Sequence, residues 1–132
     1  MKIHHIGIAT DSIEKTLEEV RNDFEIKDVS DIVYDEKQDA RLCMLTTMHN
    51  EKIELIEGEA VKNFLKRKQY LYHTCYEVKD IHKKIEEFRS SGAYVLSEPK
   101  EAVFFEGRKA VFIMTKLGLI ELLEAEWFIE HK

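Results

Sequence analysis

Residues 3–10 (IHHIGIAT) alternate apolar side chains with others, which predicts a β-strand facing a core on one side. Ile13, Leu17, Val20 and Phe24 then recur at spacings of four, three and four, the period of one helical face. Asp11, three residues before Glu14, marks the predicted helix start. Strands are predicted near residues 27–34, 40–46 and 52–57, and residues 59–70 read as a helical connection. The same order then returns. Residues 72–78 predict a strand, and Ile81, Ile85 and Phe88 a helix face after Asp80. Segments 94–97, 102–105, 110–115 and 119–124 are further strand candidates, with Glu106–Gly107 as a turn and Pro99 in a loop. Three of those four are full strands if the halves match.

Direct comparison of the halves supports a duplication. Residues 3–22 (IHHIGIATDSIEKTLEEVRN) and 71–90 (LYHTCYEVKDIHKKIEEFRS) share six identities, at His5/His73, Ile13/Ile81, Lys15/Lys83, Glu18/Glu86, Glu19/Glu87 and Arg21/Arg89. Ordinary composition gives roughly one chance match in such a window. IELIE at 53–57 also matches IELLE at 120–124. The expected class is α+β, with two tandem βαβββ modules forming a curved mixed sheet around a cleft. Residues 1–132 make one domain: module one over about 1–58, a helical linker over about 59–70 and module two over about 71–126.

With 44% hydrophobic and 35% charged residues, the chain has both a core and a solvated surface, which excludes wholesale disorder. Its apolar runs are far shorter than a bilayer span, so no membrane partner is expected. A formal charge of −6 argues against nucleic acid, whose phosphates need a basic face. The first strand begins at Ile3, leaving no expected room for a secretory leader, and Cys43 and Cys75 make no disulfide framework. A cytoplasmic location is the expectation.

Strand alternation selects the candidate chemistry. With Ile6 and Ile8 under the helix, Ile3, His5 and Gly7 face the cleft; with Ile53 and Leu55 under it, so does Glu54. The same parity sends His73 and Glu121 to the cleft. A lone strand histidine is commonly an ordinary half-buried side chain, and Lys52 is a same-face neighbour able to pair with Glu54. Glu121 sits between Leu119 and Leu123, where a carboxylate needs a cation or a proton. Recurrence of a His and a Glu in both halves favours a metal site over a polar core network. Two imidazoles and two carboxylates suit one divalent ion such as Ni, Co, Mn or Zn, with open positions for substrate. Such a site polarises a carbonyl, and a nearby carboxylate takes the adjacent proton.

HHIGIAT with His5, KIELIEG with Glu54, YHTCYEV with His73 and LGLIELLEAE with Glu121 closely resemble the vicinal oxygen chelate superfamily, of the glyoxalase/bleomycin resistance-type fold. That group includes glyoxalase I (lactoylglutathione lyase) and methylmalonyl-CoA epimerase. The resemblance implies that His5, Glu54, His73 and Glu121 ligate one metal ion that stabilises an enolate. It also implies that Glu121 or Glu54 is the base, and that the substrate is a small carbonyl compound or thioester. The opening HHIGIA and closing LGLIELLE are more similar to the epimerase branch, whose additional non-ligand acid base has no assigned position here. The expected activity is a metal-dependent isomerase or lyase. Alternatives are a non-catalytic protein that sequesters small molecules, and a metal-dependent transferase or dioxygenase of the same superfamily. A homodimer is the expected assembly, with Trp127 and Phe128 packing on the body or on a second subunit.

Lys66–Arg67–Lys68 reads as a solvated helix face or as a cradle for thioester phosphates. Arg108 reads as a wet turn residue or a contact to an anionic substrate. Cys75 reads as a small core residue, His4 as structural, and His49, His82 and His131 lack the spacing of ligands.

Overall fold

A computed structural model, which describes residues 1–105 and 107–126, shows in each half a strand, a helix and then four strands, the first two of them short, where three were expected. Residues His5–Tyr72 form one compact unit; Met1–His4 cluster with the residues from His73 onward in the other.

The first half contains β1 (Lys2–Ala9), α1 (Ile13–Val20), β2 (Ile26–Val29), β3 (Val33–Asp35), β4 (Ala40–Thr47) and β5 (Lys52–Gly58). The strand order is β2-β4-β5-β1, with β3 also along β4; β5 runs parallel to β1 and antiparallel to β4. Ile13, Cys43, Leu45 and Leu55 form the core, and Ile8, Leu17, Val20 and Ile53 pack against it. Burying these apolar faces is what holds α1 to the strands.

Three local expectations are corrected here. The helix cap is Ser12, whose hydroxyl accepts from the Lys15 N–H, not Asp11. Thr10 fixes Ser12 for that role by bonding both its N–H and its carbonyl. Phe24 leaves the helical face and is 57% exposed, because α1 ends at Val20 and the chain turns through Glu25 at φ 52°. The strand expected over 27–34 is two pieces. Ser30 donates its N–H to the Met44 carbonyl and takes the Met44 N–H on its own hydroxyl, so its side chain replaces a ladder bond where β2 stops.

A 3₁₀ turn (Glu59–Val61) and α2 (Lys62–Lys66) connect to the second half. This contains β6 (Leu71–Val78), α3 (Ile81–Ser90), β7 (Tyr94–Val95), β8 (Lys100–Glu101), β9 (Lys109–Thr115) and β10 (Gly118–Glu124). The order is β6-β10-β9-β7, with β8 on β9; β10 is parallel to β6 and antiparallel to β9. Asp80 caps α3 through the Lys83 N–H. Ile81, Ile85, Val111, Ile113, Ile120 and Leu122 are its core, joined by Phe88.

Residues 102–105 are not the expected strand; only Lys100–Glu101 pairs with β9. The following residues curl back, Phe105 N–H reaching the Ala102 carbonyl and Arg108 N–H the Phe105 carbonyl. Phe105 is held there by the His4 ring at 4.8 Å and the Arg108 guanidinium at 5.0 Å. Glu106, Trp127, Phe128 and His131 lie outside the described residues. Among the described residues no helix is long and apolar enough to cross a membrane.

Candidate functional site

Each half carries one His–Glu pair on two parallel strands, built by the same register. In the first, Gly7 of β1 lies abreast of Glu54 of β5. Alternation puts His5, two residues before Gly7, on the Glu54 face, and His5 Nε2 is 3.7 Å from Glu54 Oε1. In the second, Cys75 of β6 lies abreast of Glu121 of β10, and His73 Nε2 is 3.3 Å from Glu121 Oε1. His5 and His73 are each 2% exposed and Glu54 7%, while the Glu121 side chain keeps 14%.

The antiparallel hairpins repeat the correspondence. Met44 faces Glu54 across β4–β5, and Phe112 faces Glu121 across β9–β10. The second hairpin is one residue shorter at its tip. Thr46 pairs with Lys52 in the first half, whereas Met114 pairs with Leu119 and Thr115 with Gly118 in the second. The shortening is confined to the turn, and the strands keep their parity.

A carboxylate buried against an imidazole is stable when the two share a proton or a cation, since an uncompensated buried charge costs several kcal/mol. Each pair therefore offers one nitrogen and one oxygen donor of the type borderline divalent ions take. The Lys52 side chain makes no ion pair or hydrogen bond to Glu54 or to any other described residue, so it does not neutralise that carboxylate. On the Glu54 face β4 presents Leu42, Met44 and Thr46, so this strand supplies no further carboxylate there. In the second half Phe112 sets its ring edge-on to His73 at 5.2 Å, which restrains the imidazole plane.

Other candidates resolve into structure. Arg108 is neither a wet turn residue nor exposed; at 8% exposure it donates Nη2 to Glu77 at 2.9 Å and Nε to the Glu124 carbonyl at 2.7 Å. Cys75 is fully buried, as a small core residue, and His4 packs on Phe105. Lys66, Arg67 and Lys68 are exposed, with Arg67 over its own neighbour Phe64 at 5.3 Å; His49 and His82 are exposed as well. Phe112 was missed by motif reading, although its place opposite the IELLE acid matches that of Met44 opposite the IELIE acid.

Over residues 4–112 the sequence matches the Glyoxalase/Bleomycin resistance protein/Dioxygenase superfamily, and the chain belongs to it. A curated relative, the ethylmalonyl-CoA/methylmalonyl-CoA epimerase of Cereibacter sphaeroides, is 26% identical over 121 residues, covering 87% of this chain and 89% of its own. The crystal structure of methylmalonyl-CoA epimerase from Mycobacterium tuberculosis shares the fold with a TM-score of 0.80 at 20% identity, over 93% of this chain and 87% of that one. The Mn(II)-bound glyoxalase from Novosphingobium aromaticivorans gives 0.64 at 18% identity, over 93% of this chain and 37% of that one. The α+β class and the glyoxalase-type fold expected from the sequence are thus borne out.

Proposed function

We propose that His5, Glu54, His73 and Glu121 together hold one divalent ion, of the Ni, Co, Mn or Zn class, and that the protein moves a proton α to a carbonyl in an epimerase-like or lyase-like reaction. One observation carries this reading: a buried histidine meets a carboxylate at the same register in both halves, 3.7 Å apart in one and 3.3 Å in the other. Duplicated core packing has no need of an ionisable pair in both copies. The donor set fits such an ion, being mixed nitrogen and oxygen with two negative charges to balance it. The Mn(II)-bound relative and the epimerase relative support the metal and the reaction class respectively.

A divalent ion bound there supplies Lewis acidity to a substrate carbonyl oxygen, which acidifies the neighbouring C–H. Glu121 is the residue assigned to that proton. Its carboxylate keeps 14% exposure and so remains within reach of a substrate. Phe112 keeps His73 in one orientation beside it, and the apolar side chains of Phe112, Leu119 and Leu123 limit water around the carboxylate. β4 offers no additional acid beside Glu54, and Glu77, which shares the face of Glu121, is engaged by Arg108. The substrate is a small carbonyl compound or thioester.

Elemental analysis tests the site first. Wild type is expected to carry one equivalent of a divalent metal, and His5→Ala, Glu54→Gln, His73→Ala and Glu121→Gln to lower it. Unchanged content in all four variants removes the site. Solvent deuterium is then expected at the α-carbon of an acyl thioester or a hemithioacetal; no exchange in either class by the metal-loaded protein removes the reaction.

A further inference from the structure

The two hairpin tips meet their surroundings differently. In the first half the tip is tied to the chain that leaves α1: Met48 donates its N–H to the Glu25 carbonyl at 2.9 Å, and Lys27 donates to the Asn50 side chain at 2.6 Å. Ala93 holds the place of Glu25 in the second half, immediately before β7. There the hairpin tip bonds only to itself, Thr115 Oγ1 donating to the Gly118 carbonyl and taking the Leu117 N–H. The N–H groups of Ser91, Gly92 and Ala93 turn back to carbonyls of α3. No hydrogen bond joins the two segments among the described residues. The gap between them is a groove of about 560 Å³, within the size range of small-molecule sites.

Tyr76 and Ile120 line this groove from β6 and β10, Phe88 and Ala93 from the end of α3, and Met114 and Leu117 from the hairpin. Ile120 belongs to the core under α3, with Tyr76 packed on it, so this is the face opposite Glu121. β6 and β10 are bonded to each other, so a peptide cannot add itself to them as a strand. What remains for an occupant is apolar contact and one charge. Lys116 is the one charged side chain among the described lining residues, no acid accompanies it, and it makes no ion pair with a described residue. The Glu87, Phe88 and Arg89 carbonyls at the end of α3 are already taken by the N–H groups of Ser91, Gly92 and Ala93, which blunts the negative end of that helix. We propose that the groove binds a small amphiphilic anion, a hydrocarbon body ending in a carboxylate. The body covers Tyr76, Phe88 and Ile120, and the head group meets Lys116. Leu117 and Met114, 89% and 43% exposed, lose contact with water under such an occupant.

The test is NMR titration of isotope-labelled wild type, Lys116→Gln and Leu117→Ser with octanoate and with neutral octanol. Both substitutions fall on exposed positions and leave the core intact. Octanoate is expected to shift the amide signals of Tyr76, Phe88, Ala93 and Ile120 in a saturable way. Lys116→Gln should weaken octanoate about threefold, the range of an exposed ion pair, and leave octanol unchanged. Leu117→Ser should weaken both about fivefold through lost apolar contact. Absence of saturable shifts overturns the proposal, as does equal octanoate affinity in wild type and Lys116→Gln. Shifts confined to His73, Glu121 and their neighbours put the carboxylate at the other site and overturn it too. A dimer of wild type that Leu117→Ser breaks, read by sedimentation, assigns the groove to a second copy, with the same consequence. None of these outcomes depends on metal uptake, so the reading of the histidines and glutamates stands or falls by its own test.

Discussion

Glu57 Oε1 accepts the backbone N–H of Ile13 at 2.9 Å, tying the end of β5 to the first turn of α1, while its Oε2 takes Arg41 at 2.8 Å. The bond supplies an acceptor to a helix-start N–H that has none within the helix. Glu57→Ala is expected to cost about 1 kcal/mol, the usual scale of a lost cap, read from urea denaturation. Ser12→Ala should add a similar loss, because it serves a different N–H.

Arg41 also reaches Glu14 at 2.8 Å, and that hydrogen bond holds the Glu14 carboxyl below its ordinary pKa. A carboxyl that is more acidic folded than unfolded favours folding at neutral pH. That contribution fades as pH falls through the folded value. Arg41→Gln should move the Glu14 midpoint upward in an NMR titration. The associated change in acid stability should be slight, because the pair is solvent-exposed.

At Gly58, φ is +133° and an added Cβ would come 2.7 Å from the Asp39 carbonyl oxygen. Neither the dihedral nor the backbone neighbour yields cheaply. Gly58→Ala is expected to destabilise by about 1–3 kcal/mol, whereas Gly92→Ala meets no atom within 4 Å and carries only its positive φ of 92°. Thermal melts of the two variants should rank in that order.

Burial pushes the Cys43 thiol up, against the smaller opposing effect of the Ser30 hydroxyl, which donates to its sulfur. Cys43 should therefore resist alkylation in the native protein at pH 8 and react once urea unfolds it. Because the unfolded thiol ionises first, its contribution to stability is intact below the ordinary thiol pKa and declines as pH rises toward the folded value. Mass-resolved labelling of the native protein checks this.

Ile113 and Leu122 have no exposed surface in the second core, while Leu117, at the hairpin tip, is 89% exposed. Ile113→Ala should cost about 2–5 kcal/mol through lost transfer and a residual cavity. Leu117→Ala should stay within about 0.5 kcal/mol. Similar losses for the two would contradict the core described above.

The histidines and glutamates were legible because strand parity is a hard geometric rule: once Ile53 and Leu55 turn inward under α1, Glu54 must turn the other way. The same rule placed Glu121, with Ile120 and Leu122 under α3. What the sequence concealed lay where local pattern and long-range partner disagree. Residues 102–105 look like a strand, yet Phe105 is recruited by His4, about a hundred positions upstream. Arg108 sits in a turn-like EGRK run, but its partner Glu77 is 31 residues away. Ser30 ends β2 through a side-chain bond that no periodicity records. Apolar spacing reports which side faces a core; it does not report which polar group waits there.

The one-residue difference between the two hairpin tips falls between Met114 and Leu119, so nothing upstream or downstream of it changes sides. Chain length at that bend is uncoupled from the orientation of the acid three residues further on. The two hairpins thus differ in size at their tips, and in each half the glutamate still meets its histidine.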